Sequence, residues 1–239
     1  MANVDTLIKS SVAGIFISLG LNTTDYKHLI HAQEEGVPLI FFDRVPESID
    51  AIKIVIDDFN GAYQATDHLI KMGYRRIAHF GGIDQINIYK LRKEGYLKAL
   101  KDNGIPRDNS LIMKKTLTVD SGKEAMEKLM KGINPPDALF AASDYAALGA
   151  YTWLREQQIH VPDEFGIVGF GNEKFTNLIF PALSTVDQFS MKIGKFAAEF
   201  FFDGFVGNND DEYESPKKVQ LAAELIVRES SRKKHALVS

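Results

Sequence analysis

The stretch FGIVGFGNEKF, Phe165 to Phe175, breaks an apolar run with two glycines, Gly169 and Gly171, and then presents Asn172, Glu173 and Lys174. Glycine there lets a ligand approach the main chain closely, and an amide side chain can donate and accept hydrogen bonds at once. The same arrangement, an apolar run ending on short polar groups, recurs along the chain. Ser18 stands with Leu19, Asp43 with Arg44, Gly81 and Gly82 with Asp84 and Asn87, Leu117 closes another run, and Ser143 stands with Asp144. These groups suit a small polyhydroxylated or heteroaromatic ligand, although each alone is also an ordinary cap or turn residue.

Catalytic chemistry finds less support. GFGNEK is not the GxGxxG of dinucleotide binding, and FGGIDQ lacks the lysine of a phosphate-cradling loop. The chain holds neither a GxSxG elbow nor an HExxH zinc helix. His28 and His31, with Glu34 and Glu35 nearby, have a spacing open to a metal, but a solvated helix face is much the commoner explanation. The acidic run NNDDEYE (208–214) lacks the glycine of a calcium loop. Asp57 and Asp58 precede a helical pattern and fit its positive dipole end better than an acid/base pair. No enzyme, cofactor or metal site is implied.

Those residues need elements to position them. Short apolar runs at 12–19, 37–43 and 51–56, then in RRIAHFGG, SLIMKK, DALFAAS and FGIVGFG, alternate with longer amphipathic segments. Strand and helix in alternation imply an α/β fold of parallel sheets covered on both faces, with ligand chemistry at the carboxyl ends of the strands. Gly36, Gly73, Gly104 and Gly132 close helical patterns, Ser121–Glu124 has capping-box spacing, and Ser143 or Asp144 stands where an N-cap would. The acidic net charge of −4 argues against a dedicated nucleic-acid surface, and zero cysteines exclude disulfides and thiolate metal sites. The start MANVDTLIKSS has no basic region leading into an apolar one, and no apolar run reaches the roughly 18 residues of a membrane span. The reading is a cytoplasmic protein that uses no membrane.

HLIKMGYRRIAHFGG, LRKEGYLKALKDNGI, PDALFAASDYAALGAYTWLREQQIHVPDEFGIVGFGN, PALSTVDQ and LIVRESS occur in that order. Together they resemble the effector-binding core of LacI/GalR-type transcription regulators, from about residue 8 to residue 232. The resemblance implies a periplasmic-binding-protein-like fold of two doubly wound parallel-sheet subdomains with a small-molecule cleft between them. It also implies a homodimer that binds operator DNA through an N-terminal helix-turn-helix domain absent from this chain. A periplasmic sugar-binding protein of a transport system would share the fold. The expected division is 1–80 for an incomplete N-terminal subdomain, 81–187 for the C-terminal subdomain, 188–220 for a return to the first, and 221–239 for a final strand and tail.

By the same resemblance Arg92 matches an arginine that hydrogen-bonds the effector, Asp43 and Arg44 match a DR pair at a strand end, and Ser143 matches a ligand-reading asparagine. Asn87 precedes Arg92 and faces the same loop. An arginine in a partly desolvated cleft, outside the packed core, implies that its truncation leaves stability almost unchanged. Two positions depart from the family pattern. Gly171 stands where many members carry an aspartate, leaving Asn172 to take part of that role, and Leu117 stands where several stack an aromatic ring on the ligand. By the same resemblance the N-terminal subdomain of this chain is expected to lack the family's first strand, helix and second strand.

Overall fold

The computed structural model describes residues 2–206 and 217–233, so the acidic run at 208–214 lies outside the described residues. Its strands are β1 (Ile15–Ile17), β2 (Leu39–Phe42), β3 (Ile52–Ile56), β4 (Ile77–Phe80), β5 (Ile112–Met113), β6 (Ala138–Ala141), β7 (Gly166–Gly171), β8 (Ser184–Asp187), β9 (Lys218–Leu221) and β10 (Glu224–Ile226). Its α-helices are α1 (Ala2–Lys9), α2 (Lys27–Glu34), α3 (Asp58–Lys71), α4 (Asn87–Asp102), α5 (Val119–Met130), α6 (Asp144–Glu156) and α7 (Ser190–Phe201).

The chain forms two units, one of Met1–Ile56 with Phe189–Leu221 and the other of Asp57–Gln188 with Ala222–Ser239. In the first, a parallel sheet runs in the order β1-β2-β3-β9. Leu29 and Ala32 of α2 pack with Ile15, Leu39 and Phe41 on one face, while the ring of Phe201 of α7 meets Phe16, which points to the other, in a tilted contact at 5.5 Å between centroids. In the second unit the order is β10-β8-β7-β6-β4-β5, parallel except for β10, which runs antiparallel to β8. Alternation divides its core. Ala78, Phe80, Leu139, Ala141 and Ile167 meet α5 and α6, and His79 and Phe140 stack on the other face with Tyr96 of α4. β7 is buried over its first five residues, as a parallel strand covered on both sides must be.

The first crossing between units falls at 56/57, not at 80/81 as the sequence suggests. β4 pairs with β5 and β6, and α3 packs on α4, so residues 57–80 belong wholly to the second unit. A short crossing between two αβ repeats leaves no change of composition to read. The later crossings fall at 188/189 and 221/222. Gly36, Gly73 and Gly104 close helices at positive φ, whereas Gly132 follows α5 without one. The capping box of α5 is set three residues earlier than Ser121–Glu124. Thr118 is the N-cap and exchanges hydrogen bonds with Ser121, because the helix begins at Val119.

α5 and α6 cross on glycine. A Cβ on Gly149 would collide with the Val119 carbonyl oxygen, and one on Gly122 with the Ala146 carbonyl oxygen. α3 and α4 cross the same way, with Gly95 against the Phe59 carbonyl. Backbone cannot yield as a side chain can. Gly149→Ala is therefore expected to cost about 1–3 kcal/mol by overpacking, read as a lower urea midpoint at unchanged slope, even though alanine has the higher helix propensity.

Candidate functional site

At the carboxyl ends of the second unit's strands a buried arginine is the organising group. Arg92 lies on the second turn of α4 and is 3% exposed. Its Nε donates to Asp58 Oδ1 at 2.7 Å, Nη1 to the Ala142 carbonyl at 2.8 Å, and Nη2 to Gln188 Oε1 at 3.3 Å. The guanidinium carbon stands 3.6 Å from the ring centroid of Phe170, on β7. One side chain thus touches the first turn of α3, the end of β6, the end of β8 and a core aromatic. Of its five N–H groups, three are engaged within the chain, leaving one on each terminal nitrogen.

This overturns the expectation that Arg92 stands in a partly desolvated cleft, outside the packed core, where its truncation would barely change stability. Asp58 is 2% exposed, so the pair is fully desolvated. Asp57, its neighbour, is the ordinary N-cap of α3, accepting from the Asn60 N–H at 2.9 Å. The double aspartate therefore divides its work between a cap and an ion-pair partner. Nothing in sequence links Asp58 to an arginine 34 positions away.

A second buried carboxylate lies beside the first. Asp144, the first residue of α6, is 1% exposed, and it accepts from Thr185 Oγ1 at 2.7 Å and from the Glu173 N–H at 2.9 Å. Burial pushes its carboxyl up to about 6 against the pull of those two donors. A Cβ on Gly169 would strike Asp144 Oδ1, so this glycine exists to admit the carboxylate. Gly171 has φ +140, a conformation side chains rarely adopt, and lies beside Asp144 Oδ2 and Gln188 Nε2. The backbone of β7 here excludes the aspartate of the family pattern.

The remaining residues singled out in sequence fall as follows. Asn172, at φ 53, donates through Nδ2 to Asp187 Oδ2 at 3.0 Å and accepts through Oδ1 from Arg228 Nη2 at 2.9 Å. Arg228 also donates to the Leu183 carbonyl and to Thr176 Oγ1, so Asn172 is clamped by its own chain. Ser143 is the N-cap residue of α6, yet its hydroxyl donates to the Leu117 carbonyl at 3.0 Å and caps nothing. Leu117 is half-buried there, and Asn87 opens α4. Asp43 and Arg44 belong to the first unit, at the end of β2, where Asp43 (φ 58) accepts from Ser18 Oγ at 3.3 Å and lies 3.5 Å from Arg44 Nε. Under Gly81, His79 is stacked between Tyr96 and Phe140, and its Nδ1 lies 3.1 Å from the Phe140 carbonyl. Burial pushes it down to about 4, so the ring is neutral. Gln188 and Arg228 were not singled out in sequence, although both lie inside quoted motifs. Among the described residues no three metal-ligating side chains cluster, and no helix is long and apolar enough to cross a membrane.

Residues 66–231 match the family model of the periplasmic binding protein-like domain. The chain belongs to this family. Within it the chain corresponds to the effector-binding core of LacI/GalR-type regulators. It is 31% identical over 199 residues to the probable HTH-type transcriptional repressor ExuR of Bacillus subtilis, covering 83% of this chain and 60% of that protein. It is 28% identical over 229 residues to the HTH-type transcriptional repressor CytR of Escherichia coli, covering 96% and 65%. Among solved structures, a transcriptional regulator CelR–cellobiose complex superposes with a TM-score of 0.84 at 31% identity, covering 96% of this chain and 69% of that one. The chain thus spans 60% and 65% of the two curated relatives' lengths.

Two measurements check this geometry. Arg92→Ala leaves Asp58 buried without its partner and is expected to destabilise the unliganded protein by about 3–5 kcal/mol. Arg92→Met with Asp58→Leu should recover much of that loss in the same urea melts. The second concerns pH. Asp144, raised above its usual 3.8, makes the fold lose stability as pH climbs toward 6, and His79, lowered from 6.5, makes it gain stability as pH climbs from about 4. The two oppose each other in wild type. In Asp144→Asn only the histidine remains, so its melting temperature should fall more steeply than wild type on acidification from pH 6.5 to 4.5.

Proposed function

We propose that this chain is the effector-sensing module of a cytoplasmic LacI-type transcription regulator, and that a sugar or sugar derivative is its ligand. The family match carries the reading, because residues 66–231 cover most of the unit in which a buried arginine keeps two N–H groups unengaged at the strand ends. In this reading Arg92, Asn87, Leu117 and the Gly171 backbone are the ligand-meeting groups of the second unit, and Asp43 and Arg44 are the candidate ligand groups of the first. Ser143 and Asn172 act by holding the strand-end loops through the bonds they make.

Operator contact comes, in the same reading, from a helix-turn-helix segment outside this chain. Ligand and operator then modulate each other reciprocally, with a coupling of about 1–3 kcal/mol as the ordinary scale. The module pairs with a second copy. Tyr145 on α6, Leu178 and Phe180 are exposed apolar side chains, of which Tyr145 contacts the Phe175 ring and Phe180 accepts through its carbonyl from the Tyr151 hydroxyl, and they are the candidates for that contact.

A thermal-shift screen of sugars, sugar acids, sugar phosphates and nucleosides tests the sensing step, since a ligand at 100 times its Kd adds about 2.7 kcal/mol. At least one compound should raise the melting temperature of the 239-residue chain. The same compound should change the operator affinity of the protein carrying its DNA-binding segment. Stabilisation without any change in operator affinity would separate sensing from transcription and defeat the proposal.

A further inference from the structure

The strand-end region of the second unit has hydrogen-bond donors in excess and its carboxylates engaged. Arg92 keeps one N–H on each terminal nitrogen while 3% exposed. Gln188 uses its carbonyl oxygen to accept from Arg92, and its amide nitrogen, 3.2 Å from the place a Cβ on Gly171 would occupy, donates to none of the described residues. α4 begins at Asn87 behind Ile86, which supplies no side-chain cap; the Tyr89 N–H bonds the Ile86 carbonyl at 3.1 Å, and the positive end of the helix dipole lies at Asn87 and Ile88. Beside them Asp84 stands between Lys93 Nζ at 2.5 Å and Lys114 Nζ at 3.3 Å, two cations on one carboxylate. Asp84 is accordingly held below the usual carboxylate range.

The nearby acceptors are already engaged. Asp58 is paired with Arg92, both oxygens of Asp144 accept from Thr185 and the Glu173 amide, and Asp187 accepts from Asn172. Among the described residues His28 Nδ1 and His79 Nε2 are buried side-chain nitrogens without a partner, and of these His79 Nε2 belongs to the second unit, beneath Gly81. A neutral polyol can accept from these donors through its hydroxyl oxygens, but it brings no negative charge to the guanidinium, the helix end or the two ammonium groups. An oxyanion would instead meet the unengaged donors, the positive helix end and the surplus ammonium charge.

We infer that the effector carries an oxyanion, a carboxylate or a phosphate ester, received by Arg92 and the Gln188 amide, and that Gln188 sets the preference for this anion over the neutral parent sugar. The inference rests on reading these strand ends as the effector site. Gln188 reads the ligand because its carbonyl oxygen accepts from the arginine while its amide nitrogen lies at the glycine opening of β7.

Calorimetric titration of the chain with glucose, glucuronate and glucose 6-phosphate, and with the best neutral compound from a thermal screen, is the test. An acidic compound should bind at least tenfold more tightly than its neutral parent, and the two acids distinguish carboxylate from phosphate. Gln188→Glu keeps an acceptor for Arg92 but replaces the amide donors with negative charge. It should lower affinity for the acid at least tenfold, leave the neutral sugar within twofold, and melt within a few degrees of wild type. Tighter binding of a neutral compound than of both acids, or equal loss for acid and neutral ligand in Gln188→Glu, overturns the inference while leaving effector sensing intact. Absence of any small-molecule binding overturns both.

Discussion

The ion pair between Arg92 and Asp58 is the interaction on which the carboxyl edge of the second unit depends. Two charges lie together at 2.7 Å, both withdrawn from water, with an aromatic ring under the guanidinium. Such a pair adds little net stability over a well-packed apolar replacement, because desolvation offsets most of the attraction. What it does is fix geometry. The start of α3, the second turn of α4, the end of β6 and Gln188 at the end of β8 converge on one planar group, and none can shift alone without leaving a buried charge or carbonyl unsatisfied.

Asp144 performs the complementary task on the other side of β7. It joins the first turn of α6 to the loop after β7 through the Glu173 amide, and to β8 through Thr185. The raised carboxyl reflects a site where burial outweighs two donors and no cation makes a direct bond. Gly169 and Gly171 are consequences of this arrangement. One makes room for the carboxylate and the other turns the strand end through a φ open mainly to glycine, after which Asn172 is clamped by Asp187 and Arg228.

Both helix layers of the second unit cross on glycine, so the helix backbones approach closely and the sheet beneath them is fully covered. That close cover is why His79 can be neutral in the core and why β7 carries no alternation. It also explains how a strand as apolar as FGIVGFG can end in polar residues. The transition happens at the single edge where strand ends outrun their helices.

The sequence by itself determined the elements and their class. Apolar runs of strand length between amphipathic segments dictate parallel sheets covered by helices, because only that layering buries both faces, and polar residues closing those runs dictate where a ligand would meet the chain. It also carried the family resemblance, since the motifs from HLIKMGYRRIAHFGG to LIVRESS lie within the stretch matched by the family model. It did not reveal where the chain passes between units, because residues 57–80 read the same in either sheet until β4 is seen paired with β6. Only tertiary structure decided which polar residues serve the site and which serve the fold. Asp58, Ser143 and Asn172 have the composition of ligand-reading groups, yet each is engaged by a partner 34, 26 or 56 positions away. Hydrogen-bond satisfaction is settled by proximity in space, and a sequence records which donors and acceptors exist without recording which of them meet.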